Sequence, residues 1–165
     1  MLKHRALIMS FFASSTIPTG TPTTPQLFGS PRAALLVYRH LLGRPHFLLI
    51  STRRNPDRLT LPGGKVDAHE TALQSAIRET QEEAGVLTDW QEPLGTYLHQ
   101  KSGGRVHHTE VFLARYAGYQ LDHEPRALHW LTLNSLYEVG QSIRQPIREQ
   151  IESALEVLPA FTAAA

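Results

Sequence analysis

The chain has 165 residues, no cysteine, and 16 basic against 15 acidic side chains, for a formal charge of +1. That length fits one domain with a proper core, and the near balance gives no global support to a nucleic-acid-coating role. The missing cysteines exclude a disulfide scaffold, a thiolate metal site and a cysteine nucleophile, and no apolar run reaches the roughly 18 residues of a membrane helix.

In chain order, Lys3-His4-Arg5 precedes a short apolar run, Ala6 to Ala13, and Met9 offers a second start for translation. The run loosely resembles a signal peptide, but its core is minimal and no small-x-small cleavage site follows. Thr16 to Pro31 is rich in Thr, Pro, Gly and Ser. Residues 1–30 are therefore expected to form a flexible segment in a cytoplasmic protein, with the folded domain spanning 31–165. Next come two apolar, β-branched and aromatic runs, RAALLVYR from Arg32 and HFLLIST from His46. A loop containing Gly43 and Pro45 joins them as a hairpin.

The stretch from Gly64 to Val86, GKVDAHETALQSAIRETQEEAGV, carries the chemistry. Glu79, Glu82 and Glu83 stand at i, i+3 and i+4, so a helix presents their carboxylates on one face about a turn apart. Bare carboxylates so placed repel one another. A hard divalent cation reverses the sign of that interaction, since Mg²⁺ takes one or two carboxylates together with substrate phosphates. Asp67 and Glu70 have the spacing of a capping box. Leu73, Ala76, Ile77 and Thr80 recur as the buried stripe, and Gly85 supplies the left-handed residue that closes the helix. Arg78 lies one turn before Glu82, where it offsets crowding among the acids. Beyond the helix, TYLHQ from Thr96 and HHTEVFLARY from His107 flank the loop KSGGR as a strand pair, and LHWLTL from Leu128 is a further strand. His123 and His129 have no partner spacing that demands a metal, and Trp130 is expected in the core. Ile143, Ile147, Ile151, Ala154, Leu155 and Leu158 make a second helical stripe, with Pro146 tolerated in its first turn.

The same stretch resembles the Nudix box, G-x5-E-x7-R-E-U-x-E-E-x-G-U with U a bulky apolar residue. Each fixed position is present except one, Thr80 standing where an apolar residue is usual. The resemblance implies the Nudix fold, an α/β arrangement with a mixed β-sheet sandwiched between helices. It implies Mg²⁺, with Mn²⁺ as substitute, held by Glu79, Glu82, Glu83 and the backbone of Gly64, and supported by Glu70 and Arg78. The reaction implied is hydrolysis of a nucleoside diphosphate linked to another group, by water attack on phosphorus, with the general base unassigned. No serine sits in a nucleophile elbow, so no covalent intermediate is suggested.

Two basic loops flank the acidic helix. Arg53, Arg54 and Arg58 lie ahead of it; Lys101, Arg105, His107 and His108 follow it. Only one of the two adjacent histidines can face a site, because a strand alternates. Guanidinium groups suit bidentate contacts to phosphate, so a small molecule bearing several phosphates is the expected partner. No aromatic interleaving of the kind that stacks a nucleic-acid strand is present, and oligomeric state is left open. PRAALLVYR, STRRNPDRLTLPGGK, RVHHTEVFL and RQPIREQIESAL together resemble the diphosphoinositol polyphosphate phosphohydrolases, a Nudix branch that also cleaves diadenosine polyphosphates. Leu59 and Lys65 depart from that branch, in place of a tryptophan and a third glycine; Lys65 adds a cation at the phosphate end. Two rival readings remain: a pyrophosphatase for damaged nucleoside triphosphates or ADP-ribose, and a sensing domain that binds nucleotide without cleaving it. Intact box glutamates oppose the sensor, and the lack of a G-x-G-x-x-G turn opposes an oxidoreductase.

Overall fold

The structure, a computed structural model, describes residues 29–100, 104–120, 126–139 and 143–162. The expectations for residues 1–28, and those on Lys101 and His123, fall outside these. Among the described residues, no helix is long and apolar enough to cross a membrane.

Among the described residues, a mixed seven-stranded sheet runs in the order β3 (Leu59–Thr60), β2 (Arg44–Ser51), β1 (Arg32–Leu41), β6 (Val106–Tyr119), β5 (Val86–Gln100), with β4 (Gly63–Lys65) added beside β1 and β7 (Leu128–Leu131) beside β2. Its central strand β1 (Arg32–Leu41) pairs antiparallel with β2 (Arg44–Ser51) and parallel with β6 (Val106–Tyr119). The run Ala33 to Tyr38 is buried throughout because both faces of this strand are covered. That is why its sequence reads as continuous apolar residues rather than as an alternation. Ala33, Leu35 and Val37 face α1 (Ala72–Ala84) in one core cluster. Leu36 and Tyr38 face the other cluster, with Phe47, Leu136, Ile147 and Ile151. Complete burial of a side chain such as Phe47 contributes about 1.5–3 kcal/mol.

Two helices close the second face: α2 (Leu133–Glu138) and α3 (Gln145–Thr162). Ile147, Ile151, Ala154 and Leu158 form the buried side of α3, and Ile143 packs just ahead of it, bridging to Leu59. The mixed sheet between helices is thus the expected fold.

Three details differ from the sequence reading. The β1–β2 connection is the two-residue turn Leu42–Gly43, with φ of 51° and 73°, and Pro45 already pairs with His40 inside β2. Two positive φ values match the right-handed twist of the flanking strands. Strand β5 (Val86–Gln100) starts ten residues before Thr96, directly after α1. Its register slips at Leu87/Thr88, Thr88/Trp90 and Pro93/Gly95, which scrambles the alternation that would have revealed it. Pro93 is tolerated because β5 is an edge strand. Trp130, on β7 (Leu128–Leu131), packs against the core as expected but only half-buried: its indole N–H donates to Tyr119 Oη at 3.0 Å, and the Arg39 guanidinium stacks 4.1 Å from the ring centre.

Candidate active site

The acidic helix is positioned by its own end chemistry. Thr71, not Asp67, is the N-cap: its hydroxyl accepts from Gln74 N–H, and the Gln74 side chain accepts from Thr71 N–H. The expected Asp67–Glu70 box is half made, with Glu70 Oε1 accepting from Asp67 N–H at 2.9 Å in a turn ahead of the helix. Gly85 ends the helix at φ 63°, where its N–H donates to Gln81 carbonyl. The one departure from the box pattern, Thr80, is fully buried and satisfies its hydroxyl by donating to Ala76 carbonyl at 2.7 Å. The odd residue therefore packs as an apolar one would.

Strand β4 (Gly63–Lys65) sets the other wall by pairing Gly63 with Ala34 and Gly64 with Ala33. A Cβ on Gly64 would fall closer than 3.0 Å to the Glu79 carboxylate. Glycine at this position is what lets that carboxylate lie against the backbone. Arg78 gathers the acids: its guanidinium reaches Glu70 at 2.7 Å, Glu79 at 3.2 Å and Glu82 at 3.2 Å. Bonding to Arg78 drives the Glu70 carboxyl down to about 2, and Glu70 in turn raises Arg78 further above its ordinary value. A carboxylate held down in the folded state stabilises it above the ordinary carboxylate range, and loses that contribution as pH falls toward the depressed value. The Tm difference between the wild type and Glu70→Gln should therefore be steady above about pH 5 and close between about pH 4.5 and 2. Thermal melts across that range check it; a constant difference down to pH 2 would show that Glu70 works through packing alone.

Glu83 is the buried member, 9% exposed. Its Oε2 accepts from Gly63 N–H at 3.1 Å, and its Oε1 accepts from Arg126 Nη2. Burial pushes its carboxyl above the usual carboxylate range; the Gly63 N–H and Arg126 pull it down, Glu79 adds to the rise, and Arg53 opposes it. Among the described residues, no three His, Asp or Glu side chains converge as a ready-made metal cage. Arg78 Nη1 holds both Glu79 and Glu82, and Arg126 holds Glu83. This oxygen-only, incomplete donor set is unsuited to a closed structural site. It fits a hard cation that keeps waters and takes substrate phosphates as ligands.

Beside Glu83 opens a cleft of about 910 Å³. Arg32, Arg53, Arg54, Arg58, Arg126 and Arg144 line it, and no acidic side chain does among the described residues. The loop carrying the second to fourth of these is braced internally: Thr52 Oγ1 donates to Asn55 carbonyl at 2.7 Å, and Arg58 N–H donates to the same carbonyl at 3.0 Å. Tyr97, Thr109 and His99 line the same cleft, and Arg144 Nη1 lies 2.8 Å from the His99 ring. Burial raises the Tyr97 phenol above its ordinary value.

Of the residues singled out from sequence, the structure brings together Arg53, Arg54 and Arg58, with Glu83 adjoining through Arg126. Lys65 and Arg105 are exposed and stand outside the cleft lining. His107 also lies outside it, packed over Gly29 with Nδ1 3.4 Å from Ser30 carbonyl. Arg32, Tyr97, His99, Arg126 and Arg144 were not apparent from sequence. They come from β1, β5, the segment before β7 and the approach to α3.

Comparisons with known proteins agree with this geometry. The family model for the NUDIX domain matches residues 30–151. The asymmetrical bis(5'-nucleosyl)-tetraphosphatase of Caenorhabditis elegans is 32% identical over 114 residues, covering 66% of this chain and 83% of that protein. Diphosphoinositol polyphosphate phosphohydrolase 3-alpha of Mus musculus is 38% identical over 82 residues. That match covers 50% of this chain and 48% of the relative, about half of its length. A crystal structure of a C. elegans Ap4A hydrolase binary complex superposes with a TM-score of 0.60 at 26% identity, covering 83% of this chain and 100% of that one. A family match over most of the described chain, on this fold and with every box carboxylate in place, means that the chain belongs to the NUDIX family and is a Nudix hydrolase acting on pyrophosphate bonds.

Proposed function

We propose that the protein is a Mg²⁺-dependent pyrophosphohydrolase that cleaves a phosphoanhydride within a chain of several phosphates, with a dinucleoside polyphosphate as the leading substrate class. The observation that carries this is the arginine-lined cleft joined to the box helix through the Arg126–Glu83 pair. Six guanidinium groups, with no lining carboxylate among the described residues, are far more positive charge than a single diphosphate needs. The likeness to the tetraphosphatase, over most of both chains, favours the dinucleoside form. The shorter match to the inositol enzyme keeps a diphosphoinositol polyphosphate as the second reading.

A divalent cation, when bound, supplies neutralisation of phosphate oxygens and activation of the attacking water. Glu79, Glu82, Glu83 and the Gly64 backbone would hold it. Arg78 keeps Glu79 and Glu82 oriented, and the Gly63 N–H fixes one oxygen of Glu83. The cleft arginines hold the phosphate chain so that one bridging P–O bond lies at the acidic end. Lys65 and Arg105 have no part in this clamp.

Arg53→Ala tests the reading through phosphate number. It should raise KM for diadenosine hexaphosphate by about five-fold, the scale of a solvent-exposed charge contact, and barely change KM for ADP-ribose. Arg105→Ala, outside the cleft, should leave both unchanged. Equal losses on long and short substrates with Arg53→Ala would favour a nucleotide-cleaning or ADP-ribose pyrophosphatase instead.

A further inference from the structure

Glu83 is held by two partners of different kinds. The Gly63 N–H on Oε2 is backbone and stays where β4 puts it. The partner on Oε1, Arg126 Nη2, belongs to a side chain that also lines the arginine cleft. The Arg126 backbone is itself anchored, its N–H donating to Glu83 carbonyl at 3.0 Å. Its Cα is therefore fixed while its guanidinium stands between two anion positions, one on the box helix and one in the cleft. Pairing with Glu83 does not satisfy it: Arg126 Nε is buried and has no hydrogen-bond partner among the described residues. Of the other charged groups near Glu83, Glu79 is a fellow carboxylate, and Arg53 acts at a distance from its exposed loop.

Resting on the reading above, we propose that Arg126 is a positioning residue that alternates between two anions, Glu83 before a divalent cation arrives and a substrate phosphate afterwards. A guanidinium and a hard cation claim the same carboxylate oxygen. Once Arg126 yields that oxygen it stands beside a like charge, and the cleft is where a compensating anion can be held. The exchange makes Arg126 a competitor of the cation in the empty site and a ligand of the phosphate chain in the filled one. Cation and phosphate then strengthen each other's binding by the same factor.

Mn²⁺ binding to the full-length protein without substrate, read by electron paramagnetic resonance at pH 8, tests this apart from turnover. Arg126→Ala should bind Mn²⁺ roughly five-fold or more tightly than the wild type, because the competitor is gone. Its KM for diadenosine tetraphosphate should rise and depend less on Mg²⁺ concentration. A residue that merely braced the site would, on removal, lower Tm and weaken Mn²⁺ binding together. Where the alanine variant fails to fold, Arg126→Gln, neutral and of similar length, decides the matter in the same way. Mn²⁺ affinity equal to or weaker than that of the wild type in a folded variant overturns the proposal. If the wild type cleaves no polyphosphate at all, the substrate reading falls, and the Mn²⁺ comparison still decides the role of Arg126.

Discussion

Replacing Glu83 by Gln should lower kcat on the order of 10²-fold or more, the scale expected when a group that acts in the transition state is lost. The substitution keeps the side chain's shape and keeps an oxygen to accept from Gly63 N–H, so β4 and the box helix should stay in register. It removes the one buried box carboxylate, 9% exposed, whose charge is the main feature distinguishing this position. Two effects on stability oppose each other. Burying a neutral amide relieves the desolvation that raises the Glu83 carboxyl, while Arg126 loses its ionic partner. Arg126 lines an open cleft and can turn to water, so Tm should change by only a few degrees. A deep loss of kcat at nearly constant Tm is the expected result. Near-normal kcat would show that Glu83 is neither a metal ligand nor a base.

The second large effect comes from two neighbouring glycines that should fail in different ways. A Cβ on Gly63 would fall closer than 3.0 Å to Ala33 carbonyl oxygen and to Ala34, atoms of the central strand that cannot give way. Gly63→Ala should therefore separate β4 from β1 and destabilise by about 1–3 kcal/mol or more. At Gly64 the obstacle is the end of the Glu79 side chain, which can move aside. Gly64→Ala should fold with a Tm near that of the wild type but push Glu79 off its position and weaken activity and Mn²⁺ binding. Chemical denaturation and Mn²⁺ titration of the pair separate these outcomes. Equal loss of stability in both variants would mean that Glu79 is locked rather than movable.

The legible parts of this protein were those written in local spacing. Glu79, Glu82 and Glu83 fall on one helix whatever surrounds them, and Gly85 marks its end at φ 63°. The two-sided burial of β1 is visible in its unbroken apolar run. The start of the box helix was less legible because two capping patterns overlap, Asp67–Glu70 and Thr71–Gln74, each making hydrogen bonds. Sequence alone does not rank them; in the structure the helix begins at Ala72, directly behind Thr71. The short helix α2 carries a Thr132 cap but has only one buried residue, Leu136, too little periodicity to register. The cleft was least legible. Arg32 and Arg144 are separated by more than a hundred positions and line one cleft only because the start of β1 and the approach to α3 come together there. The basic loops pointed to phosphate, but they included Arg105, and the branch resemblance added Lys65; neither lines the cleft. Arg126 gave no signal beyond being one basic residue before a strand.

Metal-dependent cleavage within a phosphate chain, at the junction of the arginine cleft and the box helix, is the proposed activity. The most direct measurement is incubation of the purified protein with diadenosine tetraphosphate, a diphosphoinositol polyphosphate and ADP-ribose, in Mg²⁺ and in excess chelator, with products resolved by anion-exchange chromatography. At least one of the two polyphosphorylated substrates should be cleaved in Mg²⁺, faster than ADP-ribose, with cleavage abolished by chelation and restored by Mg²⁺ or Mn²⁺. Full turnover in chelator, or cleavage of ADP-ribose alone, would contradict it.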